Sequence, residues 1–179
     1  DARDATSLTF TGNTIVSGNE NFYGLYINGA RISPANNTNI NIQNNNFSDS
    51  FAGIYFQNIA ATIGSPYVLN SNNYFAGNSR FNGCGWGSTY SSSIFLDTVS
   101  NFQVTGALLG ASGCTGIQMV GTSTNVRVEN VTVTGMTTAG FWAPSGSTVN
   151  GLTLINNVFR SSGHGIALDG AQTGSILIT

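Results

Sequence analysis

The chain has 179 residues, of which 40% are hydrophobic and only 7% are charged, with five arginines, no lysine and a formal net charge of −2. This length and apolar content allow one domain with a long, thin core. The absence of a basic patch makes nucleic acid an unexpected partner. The absence of a long apolar run excludes a membrane span, and the start has no signal-peptide pattern.

The same pattern is repeated six times along the chain. Each copy has two apolar residues at alternating positions, then a lone apolar anchor, a variable loop and a second alternating segment, all with the period of two that is typical of strands. The third copy is imperfect, because Val68 is followed by Asn70. The anchors are Ile15, Phe47, Phe75, Leu109, Val133 and Phe159. The inward residues predicted for the second segments are Leu25, Ile54, Ile94, Ile117, Phe141 and Ile166.

The repeat predicts an all-β solenoid rather than a helical one. Its apolar spacing is two, and the chain is rich in Gly, Asn, Ser and Thr, which disfavour helix interiors. Three short strands per repeat, stacked coil on coil, make a parallel β-helix with about six complete coils, and Ile176–Ile178 would open a seventh. A β-sandwich is the alternative. We expect one domain over residues 1–179, as a fragment of a longer chain that stops within a coil.

Asparagines occupy fixed places in the repeat, directly before the anchors. Asn tolerates left-handed backbone conformations, which a sharp bend between strands needs. Stacked coils would also bring the amides into hydrogen-bonded ladders. We therefore interpret them as structural. They are Asn13, Asn45, Asn73 and Asn157 two residues before an anchor, and Asn44, Asn72, Asn130 and Asn156 three residues before one.

With its asparagine-rich bends, lone apolar third strands and uneven loops, the chain resembles the right-handed pectin-lyase-like β-helices. This group includes pectate lyases, polygalacturonases, epimerases and bacteriophage tailspikes, and the pattern here is most similar to a tailspike or another polysaccharide-active β-helix. The resemblance implies a right-handed solenoid, an extracellular or virion-surface location and a homotrimer in the full-length protein. It also implies that the strands of the second segments line a substrate cleft.

Alternation predicts an outward row of aromatic side chains on those strands. Tyr26, Tyr55 and Phe95 would follow one another on consecutive coils, and Trp142 would take the same phase later. Exposed aromatics in a row are typical of a binding surface, here a platform for sugar rings. A subunit interface and an aromatic ladder that only stabilises the strands are the alternatives. The expected polar neighbours for sugar hydroxyls are Asn28, Gln57 and Asp97.

Four residues are candidates for catalysis. Asp97 and Asp169 share one phase but lie three coils apart, which places their backbones roughly 14 Å apart at about 4.8 Å per coil. The reach of the two side chains would bring the carboxylates only to the upper end of the range of about 6.5–9.5 Å found in inverting glycosidases. Asp49 is a second candidate partner. His164 lies in a Gly-His-Gly sequence that is similar to an element of polygalacturonases, whose other motifs are absent here. A plain loop histidine is the alternative.

The remaining features concern loops, metals and cysteines. The loop between Ala76 and Ser92 carries Arg80 and Trp86 and could overhang the aromatic row, since long loops are often functional. The seven acidic residues are spread along the chain, so we expect no metal site and no cofactor. We expect Glu129 to form a surface ion pair with Arg127. Cys84 and Cys114 are compatible with a disulfide or with two free thiols.

These observations predict polysaccharide recognition, with or without glycosidic cleavage by a hydrolase or lyase mechanism. A non-catalytic structural fibre or adhesin is the alternative.

Overall fold

The fold is described by a computed structural model covering residues 7–15, 23–28, 39–48, 52–59, 67–69, 74–76, 92–110, 114–161 and 163–179. Three candidate residues, Asp49, Arg80 and Trp86, lie outside these ranges, as does Cys84. Within these ranges no helix is long and apolar enough to cross a membrane.

The described residues form eighteen short β-strands and no helix. The strands are β1 (Ser7–Thr11), β2 (Tyr23–Asn28), β3 (Asn39–Gln43), β4 (Ala52–Gln57), β5 (Tyr67–Leu69), β6 (Tyr74–Ala76), β7 (Ser92–Asp97), β8 (Ser100–Thr105), β9 (Leu108–Gly110), β10 (Thr115–Val120), β11 (Thr122–Glu129), β12 (Thr132–Met136), β13 (Ala139–Ala143), β14 (Thr148–Ile155), β15 (Val158–Ser161), β16 (His164–Leu168), β17 (Ala171–Gln172) and β18 (Ile176–Ile178).

Successive strands up to β17 belong to different sheets, so the chain winds as a parallel β-helix. The first sheet has the order β2-β4-β7-β10-β13-β16, the second β5-β8-β11-β14-β17 with β18 also beside β14, and the third β6-β9-β12-β15. A fourth, two-stranded sheet pairs β1 with β3. All pairings are parallel, as coil-on-coil stacking requires.

The predicted number of coils is wrong, although the fold class is confirmed. In the described residues four turns contribute a strand to each of the three large sheets, namely β4–β6, β7–β9, β10–β12 and β13–β15. The prediction counted six complete coils. It gave every copy of the pattern three strands, whereas the described residues before β4 supply one strand to the first sheet and pair β1 with β3 apart from it.

The register of the strands confirms the alignment of the repeat. Phe75, Leu109, Val133 and Phe159 are aligned on adjacent strands of the third sheet. The central core contains Ile54, Ile94, Ile117 and Phe141, with Leu25 and Ile166 packed against it at the two ends of the first sheet. The residues predicted to face inward therefore do so on every coil.

The bends before the anchors have the predicted left-handed backbone. Asn44, Asn130 and Asn156 have φ between 52° and 57°, and Gly12 and Gly106 take the same place on their own coils with φ of 70° and 59°. The amide ladder is also present, since Asn13 Nδ2 donates to Asn45 Oδ1 at 3.1 Å. These asparagines are structural, as expected.

A column of glycines, interrupted by Ser93 on β7, allows strands of the first sheet to begin close to the core. A Cβ on Gly116 would lie 2.6 Å from both the Gly140 carbonyl oxygen and the Val133 Cγ1, a buried core atom. A Cβ on Gly140 would lie 2.7 Å from the Gly165 carbonyl oxygen. The position thus points inward, and the residue before it on each strand is placed on the outer side of the sheet.

Candidate functional site

Three columns of side chains, aligned by the strand register, form the outer face of the first sheet. They pack in clusters that are separate from the central core. The edge column contains Tyr23, Ala52, Ser92, Thr115, Ala139 and His164. The aromatic column contains Tyr26, Tyr55, Phe95, Gln118, Trp142 and Ala167. The polar column contains Asn28, Gln57, Asp97, Val120, Pro144 and Asp169.

The rings of the aromatic column are in contact from coil to coil. The ring centroids of Tyr26 and Tyr55 are 5.0 Å apart, and those of Tyr55 and Phe95 are 4.9 Å apart with an edge-to-face arrangement. Tyr23 of the edge column adds a further edge-to-face contact with Tyr55 at 5.1 Å. Such pairs stabilise neighbouring strands by about 0.2–1 kcal/mol each. The predicted row of consecutive rings is therefore an aromatic ladder.

The prediction that these rings face solvent is wrong for most of them. Tyr26 is 38% exposed, but Tyr55 is 5% exposed, and Phe95 and Trp142 are buried. One contribution to this burial is the coil spacing of about 4.8 Å. At that distance a ring is covered above and below by the adjacent coils and laterally by the edge and polar columns. Only Tyr26, on the terminal strand β2 of this sheet, has one side of its ring uncovered by the sheet.

The polar column carries a continuous hydrogen-bond network over three coils. Asn28 Nδ2 donates to Gln57 Oε1 at 2.9 Å and to the Tyr26 hydroxyl at 2.8 Å, and that hydroxyl donates to Gln57 Oε1 at 2.7 Å. Gln57 Nε2 in turn donates to Asp97 Oδ2 at 3.0 Å. Asn28, Gln57 and Asp97 are half-buried. The network thus fixes their side chains while it leaves part of each at the surface.

The two columns are joined by one contact that recurs along the helix. A polar aromatic tip donates to the polar-column residue of the following coil: Tyr26 to Gln57, Tyr55 to Asp97 Oδ2 at 3.1 Å, and Trp142 Nε1 to Asp169 Oδ2 at 2.9 Å. Phe95 of the aromatic column is apolar, and the polar-column residue of the coil that follows it, Val120, is apolar as well. For these four pairs, a polar tip in the aromatic column therefore meets a polar residue in the polar column of the next coil, and an apolar ring meets an apolar residue.

Gln118 departs from this rule. Its side chain is fully buried between Phe95 and Trp142 in the register, and neither amide atom has a hydrogen-bond partner within the described part of the chain. The polar-column residue of the following coil is Pro144, whose side chain has no polar atom. Buried amides are normally paired. Alternation along β10 directs Gln118 outward with Phe95 and Trp142, yet its side chain is buried.

The structure does not bring the catalytic candidates together. Asp97 and Asp169 lie at opposite ends of a stretch of the polar column in which Val120 and Pro144 occupy the two intervening coils. His164 lies in the edge column, at the start of β16, and Asp49 is outside the described residues. In the described ranges no group of three or more His, Cys, Asp or Glu side chains could hold a metal ion.

The structure also resolves the expectations for the Arg127–Glu129 ion pair and for Cys114. Arg127 Nη2 lies 2.6 Å from Glu129 Oε2, so the predicted ion pair is confirmed. Cys114 is in a disulfide.

The residues that sequence reasoning missed are Thr98 and Tyr23. Thr98 Oγ1 donates to Asp97 Oδ1 at 2.9 Å, and Tyr23 packs in the outer cluster. The recurring glycine that begins most strands of the first sheet, and that places the preceding residue outward, was the sequence signal for Tyr23. Thr98 directly follows the end of β7, and no sequence signal pointed to it.

Comparison with protein families gives a match over almost the whole chain. The family model described as a right handed beta helix region matches residues 2–178. Searches of curated proteins and of solved structures find no match to this chain. The strand pairings show a parallel β-helix, and the family match supplies its right-handed sense. The chain belongs to the right-handed β-helix family.

Proposed function

We propose that this protein recognises a polysaccharide through the outer face of its first sheet. The contact surface is the half-exposed part of the polar column, Asn28, Gln57 and Asp97, together with the ring of Tyr26. The observation that carries the proposal is the hydrogen-bond network that links these four side chains over three coils.

The chemistry of this surface suits sugar hydroxyls. Amides supply donors and acceptors, the Asp97 carboxylate supplies acceptors, and a hydroxyl group can satisfy either kind. The exposed ring of Tyr26 offers an apolar face to the C–H side of a sugar. Because the network holds the polar groups in place before a ligand arrives, less side-chain entropy is lost on binding.

Recognition without cleavage fits the described carboxylates better than catalysis. Asp97 and Asp169 are three coils apart, roughly 14 Å at the strand spacing, beyond the separation of glycosidase pairs. Roles in cleavage for Asp97, Asp169, Asp49 and His164 therefore remain predictions, as do glycan contacts from Arg80 and Trp86. A tailspike-like, pectin-lyase-like protein at the virion surface or outside the cell, assembled as a homotrimer, is the setting we propose for this activity.

A structural fibre or adhesin segment is the second candidate. It is favoured by exposed apolar side chains on the third sheet, where Leu108 and Val158 are 45% and 39% exposed and align with Thr132 between them. Apolar side chains in register along one face are suited to lateral packing against a second solenoid.

The test is a glycan array followed by calorimetry on the best-bound glycan. We expect Tyr26→Ala and Gln57→Ala each to weaken binding by roughly tenfold, since each loses a stacking or hydrogen-bond contact of about 1–1.5 kcal/mol. Gln103→Ala is the matched control, because Gln103 is a half-buried glutamine that bonds Glu129 on the second sheet. Unchanged affinity in both outer-face variants would contradict the proposal and favour the fibre.

A further inference from the structure

We infer that the glycan site selects uncharged or amine-bearing sugars and rejects acidic ones. The inference rests on the proposed function and specifies its class of ligand. It follows from the sign and position of the charges on the described part of the outer face.

The described charges of the polar column are both negative. Asp97 is half-buried within the network, and Asp169 is exposed three coils further along. His164 is on the same coil as Asp169, but in the edge column. An acidic sugar bound beside Gln57 would therefore place its carboxylate or sulfate next to Asp97.

The described cations lie on other faces of the solenoid. Arg127 is on the second sheet, where Nε and Nη2 both donate to Glu129 Oε2. Arg160 is on β15 of the third sheet, where it aligns with Thr134. Neither of these two arginines is positioned to neutralise an acidic ligand at the polar column. The predicted glycan contact from Arg80, which lies outside the described residues, would supply a cation there and is the alternative that binding of acidic glycans would indicate.

The hydrogen bonds of Asp97 also favour a hydroxyl ligand. A carboxylate offers about four acceptor positions, and described donors use three of them: Tyr55 and Gln57 on Oδ2 and Thr98 on Oδ1. A sugar hydroxyl can donate a hydrogen bond to a remaining position. A uronate or sulfate oxygen is itself an acceptor, so it meets repulsion and no donor there.

The experiment uses an array of neutral, amine-bearing and acidic glycans, followed by one matched pair. The pair is the best-bound neutral glycan and the same glycan with its primary hydroxyls oxidised to carboxylates. We expect the oxidised form to bind at least fivefold more weakly at low salt, which is roughly the effect of one like charge at contact distance in water. The ratio of the affinities for the neutral and the oxidised glycan should fall towards one at about 1 M salt, where the screening length falls to about 3 Å.

Two variants separate local charge from total charge. The Asp97→Asn variant should bind the oxidised glycan roughly fivefold more tightly than the unmodified protein does. Glu129→Gln changes the net charge by the same amount on a different sheet and should leave the ratio unchanged. The inference is overturned if the oxidised glycan binds as tightly as the neutral one, or if the array favours acidic glycans. Binding of acidic glycans alone would leave the proposed function standing, whereas no binding by any glycan would overturn both.

Discussion

At the scale of single residues, the outer face obeys a pairing rule that Gln118 breaks. Tyr26, Tyr55 and Trp142 each donate to a polar side chain on the following coil, and apolar Phe95 meets apolar Val120. Gln118 meets Pro144 instead, so its buried amide has no described partner. A buried polar group without a hydrogen bond costs about 1–3 kcal/mol.

Replacing this amide should stabilise the protein. We expect Gln118→Met, which keeps a similar length and volume, to raise the free energy of unfolding by about 1–3 kcal/mol. The measurement is urea unfolding followed by circular dichroism. Ser123→Ala is the control, because Ser123 is buried and its Oγ accepts from Val99 N at 3.2 Å; it should lose about 1 kcal/mol. A loss of stability in Gln118→Met would show that the amide has a partner after all.

At the scale of the strand, the glycine column shows how each coil turns into the first sheet. Gly116 and Gly140 point at core side chains and at the carbonyl of the next coil, with no space for a methyl group. Gly165 holds the same position at the end of the sheet, where the nearest atom to an added Cβ lies at 3.5 Å. The requirement for glycine at these two positions therefore comes from the packed side chains of Val133 and Phe159 together with the carbonyl of the next coil, rather than from the bend itself.

This difference between glycines of one column is directly testable. Gly116→Ala should lower the free energy of unfolding by about 1–3 kcal/mol, as expected for overpacking. Gly165→Ala should change it little, since its contacts are of ordinary van der Waals length. Thermal unfolding of both variants is the measurement. Equal losses would mean that the bend itself, rather than the packing around it, demands glycine at these two positions.

Two anchors of the repeat differ in how deeply they are buried. Phe47 is fully buried and stacks on Phe10 at 5.9 Å, whereas Phe159 is half-buried. Phe47→Ala should therefore cost about 3–5 kcal/mol, and Phe159→Ala distinctly less. Chemical unfolding of the two variants checks the order. A larger loss for Phe159→Ala would contradict the assignment of the core.

At the scale of the whole molecule, the repeat in the sequence was sufficient to predict the β-helix, the inward residues and the left-handed bends. Each of these depends on one coil at a time, such as the Asn three residues before an anchor. Exposure was not predictable in this way, because Phe95 is outward by alternation and yet fully buried in the folded chain. The hydrogen-bond network of the site likewise depends on the register between coils, which alternation does not specify.

The most direct measurement of the central claim is an NMR titration of the protein with its best-bound glycan. Side-chain amide signals report separately on Asn28 and Gln57 in the polar column and on Gln103 on the second sheet. The proposed function predicts that the signals of Asn28 and Gln57 shift progressively with glycan concentration while that of Gln103 stays in place. Shifts of Gln103 without those of Asn28 and Gln57 would contradict it and place the binding surface on another face.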